Sequence, residues 1–307
     1  MEDQVVSLRL LVTGGSGLVG RQLCLEAVRM GHEVYAAEHE ACVDFGIPVK
    51  LDLLDLSSIE SAYEKSRPEV VIHAAALTDV DLCERHPELA LRINSDATAQ
   101  VAFQAKRRGA FLIYVSTDYV FDGTKGMYRE VDEPNPVNAY GLSKLKGEVA
   151  VKEVAEEWCI VRLSTPYGFH SRKRTFPGYV MERLVRGERV RVAYDQFTSP
   201  TYVPNFCRML LEVAERSVQG ILHLSGRTRA SRLDVAVRLA DLLGLDKDLI
   251  EPVSLSELKL DARRPRDSSL DVSRAMQALK EKPMALDSGL SMFIRSFYGS
   301  KKGGDAV

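Results

Sequence analysis

Short apolar runs alternate with amphipathic stretches through the first half of the chain. Residues 8–13 form the first run and end in glycines. Residues 18–30 place their apolar side chains at helical spacing and stop at Gly31, a residue suited to ending a helix. Residues 33–37 and 49–51 predict two further strands, with a helix over about 57–65. Residues 70–74 predict a buried strand, 87–108 one long helix ending at Gly109, and 111–116 the next strand. Residues 138–157 predict a helix and 158–163 another strand. Strands that are apolar on both faces and joined by helices predict an α/β fold, a doubly wound parallel sheet with right-handed crossovers.

The rhythm changes after about Thr165. Helices are predicted over 176–186 and 231–243, with a strand over 220–224 between them. Turn residues are frequent, which predicts a smaller C-terminal lobe resting over one edge of the sheet. The division expected is residues 1–165 for the sheet domain, with returning segments near 197–225, and 166–298 mainly for the second lobe. Residues 299–307, rich in Lys and Gly, predict a flexible tail.

The first strand–helix junction reads Thr13-Gly14-Gly15-Ser16-Gly17-Leu18-Val19-Gly20. Glycines at 14, 17 and 20 suit a tight turn, close backbone approach to a pyrophosphate and close helix–sheet packing. The exposed N–H groups and helix dipole favour phosphates, so a dinucleotide is the expected cofactor. Ser16, Leu18 and Val19 share that turn. Glu38, ending the second strand, is placed to hold the adenosine ribose hydroxyls or is a solvated surface acid. No Arg or Lys stands between Glu33 and Val49 to meet a 2′-phosphate, which tilts the reading towards NADH over NADPH. Asp52, beside Leu53, either reaches the adenine amino group or caps the following turn.

Tyr140 and Lys144 stand four residues apart and share one helix face. A phenol has a pKa of about 10, too high for ready proton exchange at neutral pH, and a neighbouring ammonium lowers it. Tyr140 can then give a proton to a carbonyl oxygen as hydride reaches its carbon. Ser116-Thr117-Asp118 end the strand just upstream, on the edge of the sheet where ligands bind. Thr117 can hydrogen-bond the carbonyl and the oxyanion that develops from it. Asn94, inside the long helix, either orients a water behind Lys144 or is a packing polar residue.

Composition narrows the class. The 307 residues are 45% hydrophobic and 27% charged with a net charge of -2, the balance of a soluble globular protein with no bulk-charge call for nucleic acid or membrane. No apolar run is long enough to span a bilayer, and the polar, acidic start lacks signal-peptide character. A cytoplasmic location is therefore expected. Five scattered cysteines without a C-x-x-C pair predict reduced, mostly buried thiols and no structural metal.

Read together, Gly14-x-x-Gly17-x-x-Gly20, His73-Ala74-Ala75-Ala76, Asn94, Ser116-Thr117-Asp118-Tyr119-Val120-Phe121-Asp122-Gly123 and Tyr140-Gly141-x-x-Lys144 resemble the extended short-chain dehydrogenase/reductases. The Ser-Thr-Asp-Tyr-Val-Phe-Asp-Gly run is the most specific and resembles the dTDP-4-dehydrorhamnose reductase family. Arg162, Pro166-Tyr167-Gly168, Ser199-Pro200-Thr201 and Arg264-Pro265-x-x-Ser268-x-Leu270-Asp271 agree with it. The resemblance spans about residues 8–292. It implies Thr117, Tyr140 and Lys144 as the catalytic set. It places Ala74, Ala75, Ala76, Asn94 and Ser116 at the cofactor, and Thr78, Val80, Asp81, Asp118, Tyr119, Val120 and Arg264 at a nucleotide-sugar. Arg263, Arg264 and Arg266 either supply the cations that a diphosphate needs or form a solvated basic turn paired with Asp261 and Asp267. The implied reaction is NAD(P)H-dependent reduction of the C4 keto group of dTDP-4-dehydrorhamnose, with a possible homodimer through the long helices. The same residues resemble the regulatory beta subunit of methionine adenosyltransferase, which implies an NADP-binding partner protein as the alternative. A reductase or epimerase of another nucleotide-sugar is a third reading.

Overall fold

A computed structural model describes residues 7–170 and 173–302, with side chains to residue 298. The chain runs β1(Arg9–Thr13), α1(Leu18–Arg29), β2(Glu33–Glu38), β3(Ile47–Lys50), α2(Leu56–Ser66), β4(Val70–His73), α3(Val80–Arg85), α4(Pro87–Leu91) and α5(Ala97–Arg107). It continues through β5(Phe111–Thr117), α6(Ala139–Val154), β6(Trp158–Leu163), β7(Pro166–Tyr167), α7(Phe176–Val185), β8(Val190–Ala193), β9(Phe197–Thr198), β10(Thr201–Tyr202) and α8(Val203–Glu215). The last elements are β11(Gly220–His223), β12(Ala230–Ser231), α9(Arg232–Leu243), β13(Ile250–Val253), α10(Ser273–Ala278) and α11(Leu286–Lys302). The expected flexible tail begins inside α11, and residues 303–307 lie outside the described residues.

Seven parallel strands in the order β11-β6-β5-β4-β1-β2-β3 form the central sheet. The doubly wound expectation holds. Alternate strand residues feed opposite faces, as the two-residue period requires. Leu10 and Val12 join Ile72, Ile113 and Val161 beneath α1 and α8. Leu11 joins Val71, Leu112 and Ile160 against Ile59 of α2, Val101 of α5 and Val151 of α6. Helix α8 was not anticipated. Its residues are almost all buried, and its one polar stripe, Asn205, Arg208, Glu212 and Glu215 at helical spacing, was the signal available in the sequence. A separate core of α7, α9, α11, β8 and β13 forms the second lobe around Val180, Leu184, Val192, Leu239 and Phe293.

The long helix expected over 87–108 is instead two α segments joined by a π-turn at Arg92–Asp96. The wider turn frees the Asn94 carbonyl, which accepts from Thr98 Oγ1 at 2.9 Å and from the Tyr114 hydroxyl at 3.1 Å. Such turns are frequent beside functional sites. No helix among the described residues is long and apolar enough to cross a membrane.

Candidate active site

The glycine-rich turn sits where β1 passes into α1. Gly14 holds φ at +71°, and a Cβ there would stand 3.0 Å from the backbone of Ala75 at the end of β4. A Cβ on Gly20 would stand 2.1 Å from the Gly14 carbonyl. Gly17 caps α1 and no side chain satisfies the first turn, which leaves N–H groups for an anion. This cradle fits a dinucleotide pyrophosphate: backbone donors, a positive dipole end and no side chain in the way.

From this turn a crevice of about 640 Å³ runs along the ends of β4 and β5 to the start of α6. One end is lined by Gly14, Ser16, Gly17, Leu18 and Val19, facing Ala74, Ala75 and Ala76. Thr78 and Val80 lie between, and Ser116, Thr117, Asp118, Tyr119, Tyr140 and Lys144 close the other end. The three residues expected to do the chemistry therefore share one wall.

Each is positioned by its element. Asn138 caps α6 by accepting the Gly141 N–H at 2.8 Å, so Tyr140 and Lys144 start the helix at a fixed angle. Tyr119 packs edge-on against Tyr140, with ring centroids 6.0 Å apart. Lys144 is 2% exposed and donates to the Val115 carbonyl at 2.8 Å, with its Nζ 4.0 Å from the Tyr114 ring centroid. Burial pulls its pKa down to about 7, and the Glu148 carboxylate one turn below opposes that fall. Burial raises the Tyr140 phenol, and a hydrogen bond with Thr117 works against the rise.

Other expected residues lie elsewhere. Asn94 is not on the crevice wall: its amide brackets Leu77, accepting at 2.8 Å and donating at 3.0 Å, and donates to Ser143 Oγ at 3.0 Å. It is thus the packing residue of the two readings, tying the 74–78 stretch to α6. Glu38 is buried off the wall, where its carboxylate meets Lys50 Nζ at 2.9 Å and accepts the Val43 N–H at 2.9 Å. Lys50 stands just past the window searched for cations. The ammonium first, then the Val43 N–H, hold the Glu38 carboxyl below the usual carboxylate range. Asp52 caps its turn by accepting the Leu54 N–H at 2.9 Å, and Leu53 packs on the core. Val120 is core beside Phe121, Tyr128 and Leu270. Arg264 donates to Asp81 at 3.0 Å, so these two expected substrate residues bind each other. Arg264 lines a neighbouring basin of about 880 Å³ with Arg263, Arg266, Arg229 and Phe197.

Arg232, His170 and Lys173 line the crevice and were not anticipated. Arg232 lies over the Phe176 ring at 4.8 Å and donates to Gln196 Oε1 at 3.3 Å. It opens α9, where a cation opposes the helix dipole, and that awkward placement was the one signal available in the sequence. His170 bonds the Ser16 carbonyl at 3.2 Å, joining the second lobe to the glycine turn.

A family model described as RmlD substrate binding domain matches residues 8–298. The probable low-salt glycan biosynthesis reductase Agl14 of Haloferax volcanii is 34% identical over 291 residues, 93% of this chain and 97% of that protein. Methionine adenosyltransferase 2 subunit beta of Bos taurus is 34% identical over 281 residues, 89% of this chain and 83% of that protein. Among solved structures, dTDP-4-dehydrorhamnose reductase from Bacillus anthracis in complex with NADP superposes with a TM-score of 0.85 at 30% identity, covering 94% of this chain and 99% of that one.

Proposed function

The chain belongs to the RmlD substrate binding domain family, and from that premise we propose that it reduces the C4 keto group of a nucleotide-linked 6-deoxysugar, dTDP-4-dehydrorhamnose first among the candidates. It is an NAD(P)-dependent oxidoreductase. The observation that carries the reading is the shared wall of Thr117, Tyr140 and Lys144, continuous with an anion cradle at Gly14–Gly20. The bound coenzyme supplies hydride to the keto carbon. Tyr140 supplies the proton to the keto oxygen, so the carbonyl gains one hydride and one proton and becomes an alcohol. Lys144 holds positive charge beneath the phenol, and the Ser16–Val19 turn and the Ala74–Ala76 stretch orient the coenzyme. Arg232 and the arginine-lined basin offer cations on the side where a sugar diphosphate would extend.

The assay is oxidation of NADH and NADPH by the purified protein, with dTDP-4-dehydrorhamnose and its GDP- and UDP-linked counterparts. Turnover of the dTDP-sugar above the others supports the proposal. Its absence with every sugar would sink it and favour the second reading, an NADP-binding regulatory subunit. That alternative is motivated by identity to methionine adenosyltransferase 2 subunit beta equal to that of the reductase. Co-elution with a methionine adenosyltransferase catalytic subunit would then be the positive result.

Coenzyme choice follows from the Glu38–Lys50 pair. With Glu38 neutralised by Lys50, neither charge alone decides between a ribose hydroxyl and a 2′-phosphate. Glu38→Gln releases the half of the pair that repels phosphate. The expected result is a several-fold move of kcat/KM towards NADPH. An unchanged NADPH-to-NADH ratio would remove the pair from coenzyme selection.

A further inference from the structure

The Thr117 hydroxyl has one proton and two neighbours able to take it. Its Oγ1 lies 3.1 Å from Asp118 Oδ1, and the Tyr140 phenol is also within hydrogen-bond reach. The same oxygen accepts the Tyr119 N–H at 3.2 Å. Asp118 is 2% exposed, yet it forms part of the crevice wall. Its second oxygen accepts from Ser164 Oγ at 2.8 Å and Ser268 Oγ at 2.6 Å. Thr117 ends β5, Ser164 follows β6, and Ser268 lies in the segment between β13 and α10. Three separate stretches of chain therefore aim a hydroxyl proton at one carboxylate.

That arrangement suits an anion. A carboxylate accepts all three protons, whereas a carboxylic acid brings a proton of its own and leaves one hydroxyl misdirected. The charged groups facing it are Arg232 from α9, which favours the anion, and beyond Tyr119 the Arg264 guanidinium. The Tyr140 phenol faces it from α6 and the Tyr119 phenol from its own strand end. Between a carboxylate and a neutral phenol oxygen, the hydroxyl proton goes to the charged acceptor, the stronger partner by about twofold.

We propose that Asp118 is a positioning residue that takes the Thr117 proton and so keeps the Tyr140 phenol in its proton-donating form. The inference rests on the reductase reading of this crevice. Burial raises Asp118 to about 6 while the Ser268, Ser164 and Thr117 hydroxyls oppose the rise, so the group is anionic at neutral pH and above. With its proton committed to Asp118, Thr117 is not the donor to the substrate carbonyl that the sequence suggested, and it presents Tyr140 with a lone pair. The phenol donates to that lone pair until a keto oxygen replaces it. The Asp118 charge also disfavours the phenolate directly. That charge, with burial and against the Thr117 contact, withholds the phenolate until hydride transfer makes the substrate oxygen basic enough to take the proton.

Asp118→Asn tests this. The variant keeps the shape, removes the charge and weakens the hold on the Thr117 proton. KM for NADPH should be unchanged, and so should the alkaline limb of the kcat profile, which follows the Lys144 ammonium. The Cζ chemical shift of Tyr140, followed by NMR with ring-labelled tyrosine and assigned by its loss in Tyr140→Phe, should show ionisation beginning about one unit lower. A merely structural role would lower activity without moving the Tyr140 titration. Wild type and variant titrating alike would overturn the proposal. If the wild type turns over no keto sugar, the reductase reading fails, and the NMR titration still decides the Asp118 assignment. Should Asp118→Asn not fold, Thr117→Val carries the test. The onset of the Tyr140 titration then does not rise, because the missing proton was never on the phenol and only an acceptor of the phenol proton is lost. A rise in its onset would place the Thr117 proton on Tyr140 and end the proposal.

Discussion

Tyr140→Phe will bind NADPH as the wild type does and will reduce its keto substrate about 10²–10⁴-fold more slowly. The substitution removes one oxygen and keeps the ring. The edge-on contact with Tyr119, ring centroids 6.0 Å apart, survives, and so does the packing that seats the first turn of α6. The pyrophosphate cradle is remote from the phenol and owes nothing to it, being built from backbone at Gly14, Gly17 and Gly20. What disappears is the one proton donor in line with Thr117 on the crevice wall. Lys144 cannot replace it: its Nζ is already given to the Val115 carbonyl at 2.8 Å, and burial draws its pKa to about 7. Stopped-flow turnover beside a coenzyme fluorescence titration separates the two effects. Loss of coenzyme affinity in step with kcat would show that Tyr140 holds the coenzyme rather than the proton. Unchanged turnover would remove it from the chemistry.

The parts of this site that were legible in the sequence are those governed by local rules. The glycine spacing, the four-residue step from Tyr140 to Lys144 and the alternation of apolar strands each follow from the geometry of one element. The sheet was therefore read correctly before any coordinates, and the structure brings Thr117, Tyr140 and Lys144 to one crevice. What was not legible depends on pairings across the chain. Glu38 meets Lys50 only because β2 and β3 lie side by side with those residues in register. Arg264 and Asp81 are 183 residues apart and neutralise each other, which no count of charges reveals. For Asn94 the sequence left two readings open, a water holder or a packing residue, because it does not reveal the π-turn that brings its carbonyl to Tyr114 and its amide to Leu77. Helix α8 and the short strands β8 and β13 escaped for a different reason. The strands are only four residues long and leave no clean period, whereas α8 carries Asn205, Arg208, Glu212 and Glu215 at helical spacing, a signal that went unused.

Breaking the pair beneath Lys144 should cost more stability than any other single change made near this site. Glu148 and Arg162 are 0% and 1% exposed and joined twice, Nε to Oε1 at 2.9 Å and the terminal NH2 to Oε2 at 2.8 Å. The same carboxylate accepts from Ser116 Oγ at 2.6 Å, and the Arg162 guanidinium lies 5.0 Å from the Phe121 ring centroid. Glu148→Gln leaves Arg162 charged, buried and without a counter-charge. The expected loss is about 3–5 kcal/mol, seen as a fall of roughly 10 °C in Tm. Replacing both partners by Met should cost less than either single change, because no uncompensated charge then remains. The single variant should also lose activity at lower pH than the wild type. Glu148 is the group that opposes the burial of Lys144, so without it the lysine pKa falls below about 7 and the ammonium is lost as pH rises through that lower value. A Glu148→Gln protein as stable as the wild type, with an unmoved pH profile, would mean that water reaches Arg162 and that Lys144 takes its charge from elsewhere.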